Sequence, residues 1–336
     1  MHVVITGGAG FLGVRLARRL IEQGTLSLAG AAARPIERLT LVDRAAPPPT
    51  LQADPRVQAV TGDLVDLLEA EPARMVPADT AAVIHLASAV SGECEADFDL
   101  GVRSNLRAGM LLLDRCRALG TTPLLVFSSS LAVFGAGPGR SLPEVVTDDT
   151  LPTPQSSYGI QKFVLEQLVA DYARKGFVRG RSVRLMTVSV RPGRPNGAAS
   201  SFLSGIIREP LAGVRSTCPV PPDTPVALSS PARAIEGLMC ALQADDGAWG
   251  GRTAFNLPAL TTTPARMAAA LERVAGADVA RRIDWQVDPA VERIVAGWPS
   301  RFDSARVRAL GLQGDADFET VIRDYVQENP EAVKTG

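Results

Sequence analysis

A chain of 336 residues is long enough to bury a substantial core in one large or two modest domains. Its 35 basic and 36 acidic residues are nearly balanced, with no basic block and only 5 % aromatics, which speaks against an electrostatic nucleic-acid stripe. Cys94, Cys116, Cys218 and Cys240 stand far apart without Cys-x-x-Cys spacing, and the histidines are His2 and His85 alone, so the expectation is no metal site and a reducing compartment.

His2 to Thr6 is a short β-branched run that predicts a strand. Gly7, Gly10 and Gly13 follow at once, then a helical pattern (Val14, Leu16, Ala17, Leu20, Ile21) that stops at Gly24. Strand, glycine turn and helix come in the order a dinucleotide phosphate site requires: Gly7 for the turn, Gly10 for close backbone approach, Gly13 for helix-on-strand packing, with Phe11 and Leu12 at the helix start. No secretory n-region precedes this strand and no apolar run approaches a membrane span, so a cytoplasmic protein with no membrane partner is expected.

Residues 25 to 38 insert an Ala/Gly-rich segment expected to be a surface loop without chemistry. Leu39 to Asp43 predicts the next strand, and its terminal carboxylate stands where a ribose diol would be accepted and a 2′-phosphate repelled. NAD is therefore favoured over NADP, although Arg44 beside it pulls the other way. A third strand runs from Val57 and ends in Gly62-Asp63-Leu64. Asp63 there is either an adenine acceptor or a helix cap. The fourth covers Ala81 to Ser88, placing Leu86, Ala87 and Ser88 at the sheet's carboxyl edge; His85 within it reads as a core residue.

Asp99 to Leu119 predicts one helix carrying Asn105, and Pro123 to Ser130 a fifth strand ending in Ser128, Ser129 and Ser130. Ser130 is a candidate for holding a substrate oxygen; local backbone bonding is the plainer alternative for all three serines. Residues 135 to 154, rich in glycine and proline, form a loop expected to cover the nicotinamide end. Tyr158 and Lys162 then stand one helical turn apart, so phenol and ammonium share a face. A phenol of pKa near 10 must lose about three units, roughly 4 kcal/mol, to act as a base at neutral pH. Lys162 alone would not supply that, and a positively charged nicotinamide ring would help.

Val183 to Val190 predicts a strand leading into Arg191-Pro-Gly-Arg-Pro-Asn-Gly197 and a helix from about Ser200 to Leu211. Further strands are expected at Val226 to Leu228 and at Phe255 to Leu257, with proline-initiated helices after Ser230 and Thr263. Short helices alternate with turns to the end, without an internal repeat or low-complexity tail.

Taken together, the glycine turn, Asp43, Gly-Asp63-Leu64, His-Leu-Ala87, Asn105, Ser128 to Ser130, Tyr158-x-x-x-Lys162 and the closing Phe302 to Gly311 segment resemble the extended short-chain dehydrogenase/reductases, the NAD-dependent epimerase/dehydratase branch, over nearly the whole chain. The resemblance implies an α/β Rossmann fold, doubly wound on a mainly parallel sheet. Its NAD-binding domain would comprise residues 1–190 plus about 224–260, and a smaller substrate-binding domain about 191–223 plus 261–330. It makes Tyr158 the base, Lys162 the nicotinamide-ribose ligand, Ser130 the holder of the substrate hydroxyl, Asn105 a support for the helix and a proton path, and Asp43 and Asp63-Leu64 the ribose and adenine ligands. A homodimer through Asp99 to Leu119 and Tyr158 to Arg174 is a family habit.

Two departures narrow the chemistry. Sugar-nucleotide dehydratases of this branch carry an acidic pair after the catalytic hydroxyl, where this chain has Leu131 and Ala132; Thr224 to Ser229 also lacks the arginine that clamps a nucleotide diphosphate in many members. A narrower resemblance, through Arg191 to Gly213, is to members that oxidise the C2 hydroxyl of a four-carbon sugar acid. The implied reaction is NAD-dependent oxidation of D-erythronate to 2-oxo-tetronate, the carboxylate held by Arg191 or Arg194 with Thr187 and Asn196. A sugar or sugar-nucleotide epimerase and a non-catalytic NAD sensor are the alternatives.

Overall fold

The computed structural model describes every residue except 138, 140, 194–196 and 335–336. Seven strands form one sheet: β1 (His2–Thr6), β2 (Arg38–Asp43), β3 (Val57–Thr61), β4 (Thr80–His85), β5 (Leu124–Ser130), β6 (Arg179–Leu185) and, after two strands described below, β9 (Phe255–Asn256). Their order is β9-β6-β5-β4-β1-β2-β3 and every neighbouring pair is parallel. The order reverses between β1 and β4, the crevice where a doubly wound sheet receives its ligand. A β-branched, fully buried β1 (Val3, Val4 and Ile5 all 0 % exposed) is what the centre of a two-sided parallel sheet demands.

Helices cover both faces. α1 (Phe11–Gln23) buries Leu16, Ala17 and Leu20 and ends at Gly24, whose φ of 69° closes the last turn. α2 (Leu64–Ala70) is capped by Asp63, and α3 is Ala108–Ala118. α4 (Ser157–Arg174) starts at Ser156, which accepts a hydrogen bond from the amide of Gly159 at 3.1 Å. The single helix expected over 99–119 is instead three segments, Phe98–Gly101, a π-helical stretch Val102–Arg107, and α3. Wider turns of that kind occur as local bulges inside helices, often beside functional sites.

The expected strand over 183–190 is also divided. β6 begins earlier, at Arg179, and stops at Leu185; Thr187–Val188 (β7) pairs instead with β8 (Val226–Ser229), which is antiparallel to β10 (Leu260–Thr262). The chain thus changes sheets across Met186. α5 (Phe202–Leu211), α7 (Pro264–Ala275) and α8 (Phe318–Glu328) pack there around a second core that includes Ile206, Ile207, Leu228, Leu271 and Ile322. α6 (Pro231–Gln243), capped by Ser230 with proline at its first position, returns to the main sheet through Leu238 and Leu242.

Two of the expected loops contain short paired strands. In the 25–38 segment Thr25–Leu26 and Arg34–Pro35 form a small antiparallel pair, and the amides of Ala29 and Gly30 donate to the carbonyls of Leu242 and Gln243 at the end of α6. Within the 135–154 loop, Val146–Thr147 pairs in parallel with Phe302–Asp303.

Candidate active site

A cavity of 410 Å³ lies at the carboxyl edge of β1, β2, β4 and β5. At one end are Gly7, Gly10, Phe11, Leu12, Gly13, Asp43, Arg44, Asp63 and Leu64; Leu86, Ala87, Ser88 and Ser128 are on the wall; and Ser130, Tyr158, Lys162, Thr187 and Arg191 are at the other. The sequence-predicted residues therefore converge, with four exceptions. Asn105 sits behind the wall, the 135–154 loop contributes no described lining residue, and Arg194 and Asn196 lie outside the described residues.

The glycine turn fits a dinucleotide. A Cβ at Gly7, where φ is 74°, would stand 2.7 Å from the Ala87 nitrogen, and one at Gly13 would stand 2.0 Å from the Gly7 carbonyl oxygen. At Gly10 an added Cβ would meet only the Gly7 backbone, so this position is open toward the cavity, where α1 offers its free amides to an anion. Gly13→Ala is expected to lower stability by about 2 kcal/mol or more, because backbone must shift to admit the methyl; urea unfolding checks it.

Asp43 ends β2 with one oxygen accepting from the amide of Ala9 at 3.0 Å and the other from Ala45 at 3.3 Å, which holds its carboxylate beside the turn. Asp63 accepts from the amides of Val65 (3.0 Å) and Asp66 (3.4 Å) and pairs with Arg103 at 3.0 Å. Its cap role is visible, and the residue still lines the cavity. His85 is the core residue expected: its Nδ1 lies 2.7 Å from Thr6 Oγ1, its ring stacks on Phe127, and burial, helped by the charge of Lys162, pushes its pKa down to about 3.

Tyr158 and Lys162 share one face of α4, as their spacing predicts, with the ammonium 5.5 Å from the phenol ring centre. Lys162 is 2 % exposed and donates to the Ser128 carbonyl at 2.8 Å; burial pushes its pKa down to about 7, while Cys94 and Glu166 pull upward. For Tyr158 the lowering expected with a nicotinamide in place is absent in the protein alone. Burial pushes the phenol up to about 12, against the hydrogen bond of Ser130 and the positive charge of Arg191, which favour the phenolate. Desolvating an anion outweighs these two neighbours in the protein alone.

Beneath the pair, the π-helical turn presents Asn105, 1 % exposed. Its Oδ1 accepts from the Ala89 amide (2.8 Å) and the Ser88 hydroxyl (2.9 Å), and its Nδ2 donates to Gln161 Oε1 at 2.8 Å. One amide thus ties the wall after β4 to α4. Asn105→Ala is expected to cost about 2 kcal/mol by orphaning these buried groups, read as a lower urea midpoint.

Arg191 leaves β7 with its backbone fixed: its amide donates to Ser204 Oγ at 3.1 Å and its carbonyl accepts from Arg208 at 2.8 Å. Burial and the nearby charge of Arg208 lower the pKa of its guanidinium, and no carboxylate among the described residues pairs with it. Sequence reasoning missed Ser91, Ser200 and Trp298, which also line the cavity. Nothing in their local pattern distinguishes them from ordinary loop residues.

A phosphate cradle and a buried phenol at opposite ends of one crevice form a nicotinamide-linked oxidoreductase. The family model described as NAD dependent epimerase/dehydratase family matches residues 3–223, and the chain belongs to that family and uses NAD. It is 52 % identical to D-erythronate dehydrogenase of Cupriavidus necator over 98 % of each chain, and 40 % identical to D-erythronate dehydrogenase of Haemophilus influenzae over 97 % of this chain and 99 % of that one. Among solved structures it resembles a nucleoside-diphosphate-sugar epimerase from Agrobacterium tumefaciens, with a TM-score of 0.89 and 37 % identity over 99 % of this chain and 95 % of that one. L-threonine 3-dehydrogenase from Trypanosoma brucei, at TM-score 0.82 and 21 % identity over 98 % and 97 %, shares the fold.

Proposed function

We propose that the protein oxidises the C2 hydroxyl of a small sugar acid, D-erythronate, to the 2-oxo acid with NAD. The observation that carries this reading is Arg191, a cation without a carboxylate partner among the described residues, in the same cavity as Ser130 and Tyr158. A planar guanidinium can hold a carboxylate by two charge-assisted bonds, with Thr187 beside it and Arg194 and Asn196 following in sequence. Leu131 and Ala132, in a buried turn after Ser130, leave no acid there for eliminating water. The names of the two erythronate dehydrogenases support the same substrate.

Bound NAD supplies the hydride acceptor. Tyr158 removes the proton of the C2 hydroxyl as that carbon gives up its hydride, Ser130 holds the alcohol oxygen, and Arg191 fixes the neighbouring carboxylate. Lys162 stands ready for the nicotinamide ribose, and Asn105 keeps the wall and α4 in place. Asp43 takes the adenine ribose, and Asp63 with Leu64 flanks the adenine. Residues 1–190 plus about 224–260 form the NAD-binding part and about 191–223 plus 261–330 the substrate-binding part, with β7 and β8 of the first joining β10 of the second in the smaller sheet.

Purified protein, NAD and a panel of four- to six-carbon sugar acids test the proposal: NADH absorbance should grow with D-erythronate. No signal with any acid, while NAD binds, would move the reading to a sugar epimerase, which returns the hydride and accumulates no NADH. The name of the Agrobacterium tumefaciens relative favours that second reading.

Exposed apolar side chains on two helices that touch each other, Met110 (46 % exposed) on α3 and Ile160 (50 %) on α4, support a homodimer through these helices. The double variant Met110→Glu, Ile160→Glu should halve the mass measured by light scattering, and an unchanged mass would reject this interface. Among the described residues no helix is long and apolar enough to cross a membrane; the four free cysteines support a reducing compartment such as the cytoplasm, and the sugar-acid names of the two relatives support a place in carbohydrate metabolism.

A further inference from the structure

If Arg191 anchors the carboxylate and Tyr158 with Ser130 meets the C2 oxygen, the remaining substrate carbons must extend into what is left of the cavity. Beyond Ser200 a single described residue lines it, Trp298. This side chain sits just past the helix Pro289–Ala296, its amide donating to the Val295 carbonyl at 3.1 Å, with buried Pro299 behind it. It packs at once on the second core and on the small cluster of Leu131, Met186 and Ala227. A side chain held by two clusters has little freedom to swing aside. Leu131 and Met186 line the same cavity, so the three present one apolar surface.

An additional hydroxymethyl group driven against such a surface meets either overlap or burial without a hydrogen-bond partner. We infer that Trp298, backed by Leu131 and Met186, is the specificity-determining wall that restricts the enzyme to short sugar acids. This rests on the sugar-acid dehydrogenase reading above. It assigns to one aromatic of the C-terminal region, Trp298, the choice of chain length, while Arg191 reads the charge.

The experiment compares kcat/KM for D-erythronate, D-ribonate and D-allonate, which share configuration at C2 and C3 and differ in length. The wild type should lose about tenfold or more at each added carbon, the discrimination a tight pocket achieves against one extra group. Trp298→Leu and Trp298→Ala should raise the D-allonate to D-erythronate ratio by about tenfold or more while D-erythronate is still oxidised. If Trp298→Ala fails to fold, Trp298→Phe with D-ribonate carries the same comparison. A folded variant that oxidises D-erythronate with an unmoved ratio overturns the wall alone, as does a wild type indifferent to length. A wild type that oxidises none of the three overturns the sugar-acid reading and the wall with it.

Discussion

Tyr158→Phe should abolish oxidation, lowering kcat by at least about 10³-fold, in the range assigned to general bases, while the dissociation constant for NAD stays within a few-fold. The substitution keeps the ring and removes one oxygen, so its effect isolates the proton acceptor. Burial holds this phenol near 12 in the protein alone, so the phenolate fraction grows as pH rises through neutrality. Wild-type kcat/KM should therefore climb with pH in the oxidation direction, and the residual activity of Tyr158→Phe should lack that limb. Stopped-flow absorbance gives kcat across the pH range, and fluorescence titration gives the NAD affinity. Turnover within a few-fold of wild type would remove Tyr158 as the base.

Arg191→Met should raise KM for D-erythronate and lower kcat/KM by about 10²-fold, the value of hydrogen bonds to a charged partner. Methionine keeps much of the aliphatic bulk, so the packing beside α5 suffers little. NAD affinity should not move. Arg191→Lys restores a charge but not the planar fork, and should recover only part of the loss. Steady-state kinetics on the three proteins check the order wild type, Lys, Met; equal kcat/KM in all three would place the carboxylate elsewhere.

Much of this was legible in the chain itself because its signals are local. Val3 to Ile5 are β-branched and precede three glycines at fixed offsets, and Tyr158 and Lys162 are one turn apart; each needs only a few residues of context. The π-helical turn was not legible, since Leu106, Met110 and Leu113 satisfy an ordinary helical period while the hydrogen-bonding step changes beneath them. Nor was the change of sheet at Met186, because Val183 to Val190 carries no glycine, proline or other turn signal and a strand's partner is not written in its own composition. The rise of the Tyr158 pKa depends on burial by residues far away in sequence. Trp298 reaches the cavity through tertiary packing alone.

The passage across Met186 has an evolutionary consequence. Proton and hydride chemistry is arranged at the edge of the long parallel sheet, whereas Arg191 is delivered by the strand that has already joined its smaller neighbour. With Arg191 holding the substrate as proposed, selection could alter what is grasped by remodelling the smaller sheet and its helices, leaving the redox apparatus untouched. One coupling site would serve successive diets of substrate, with most of the change falling in the segments that follow that residue.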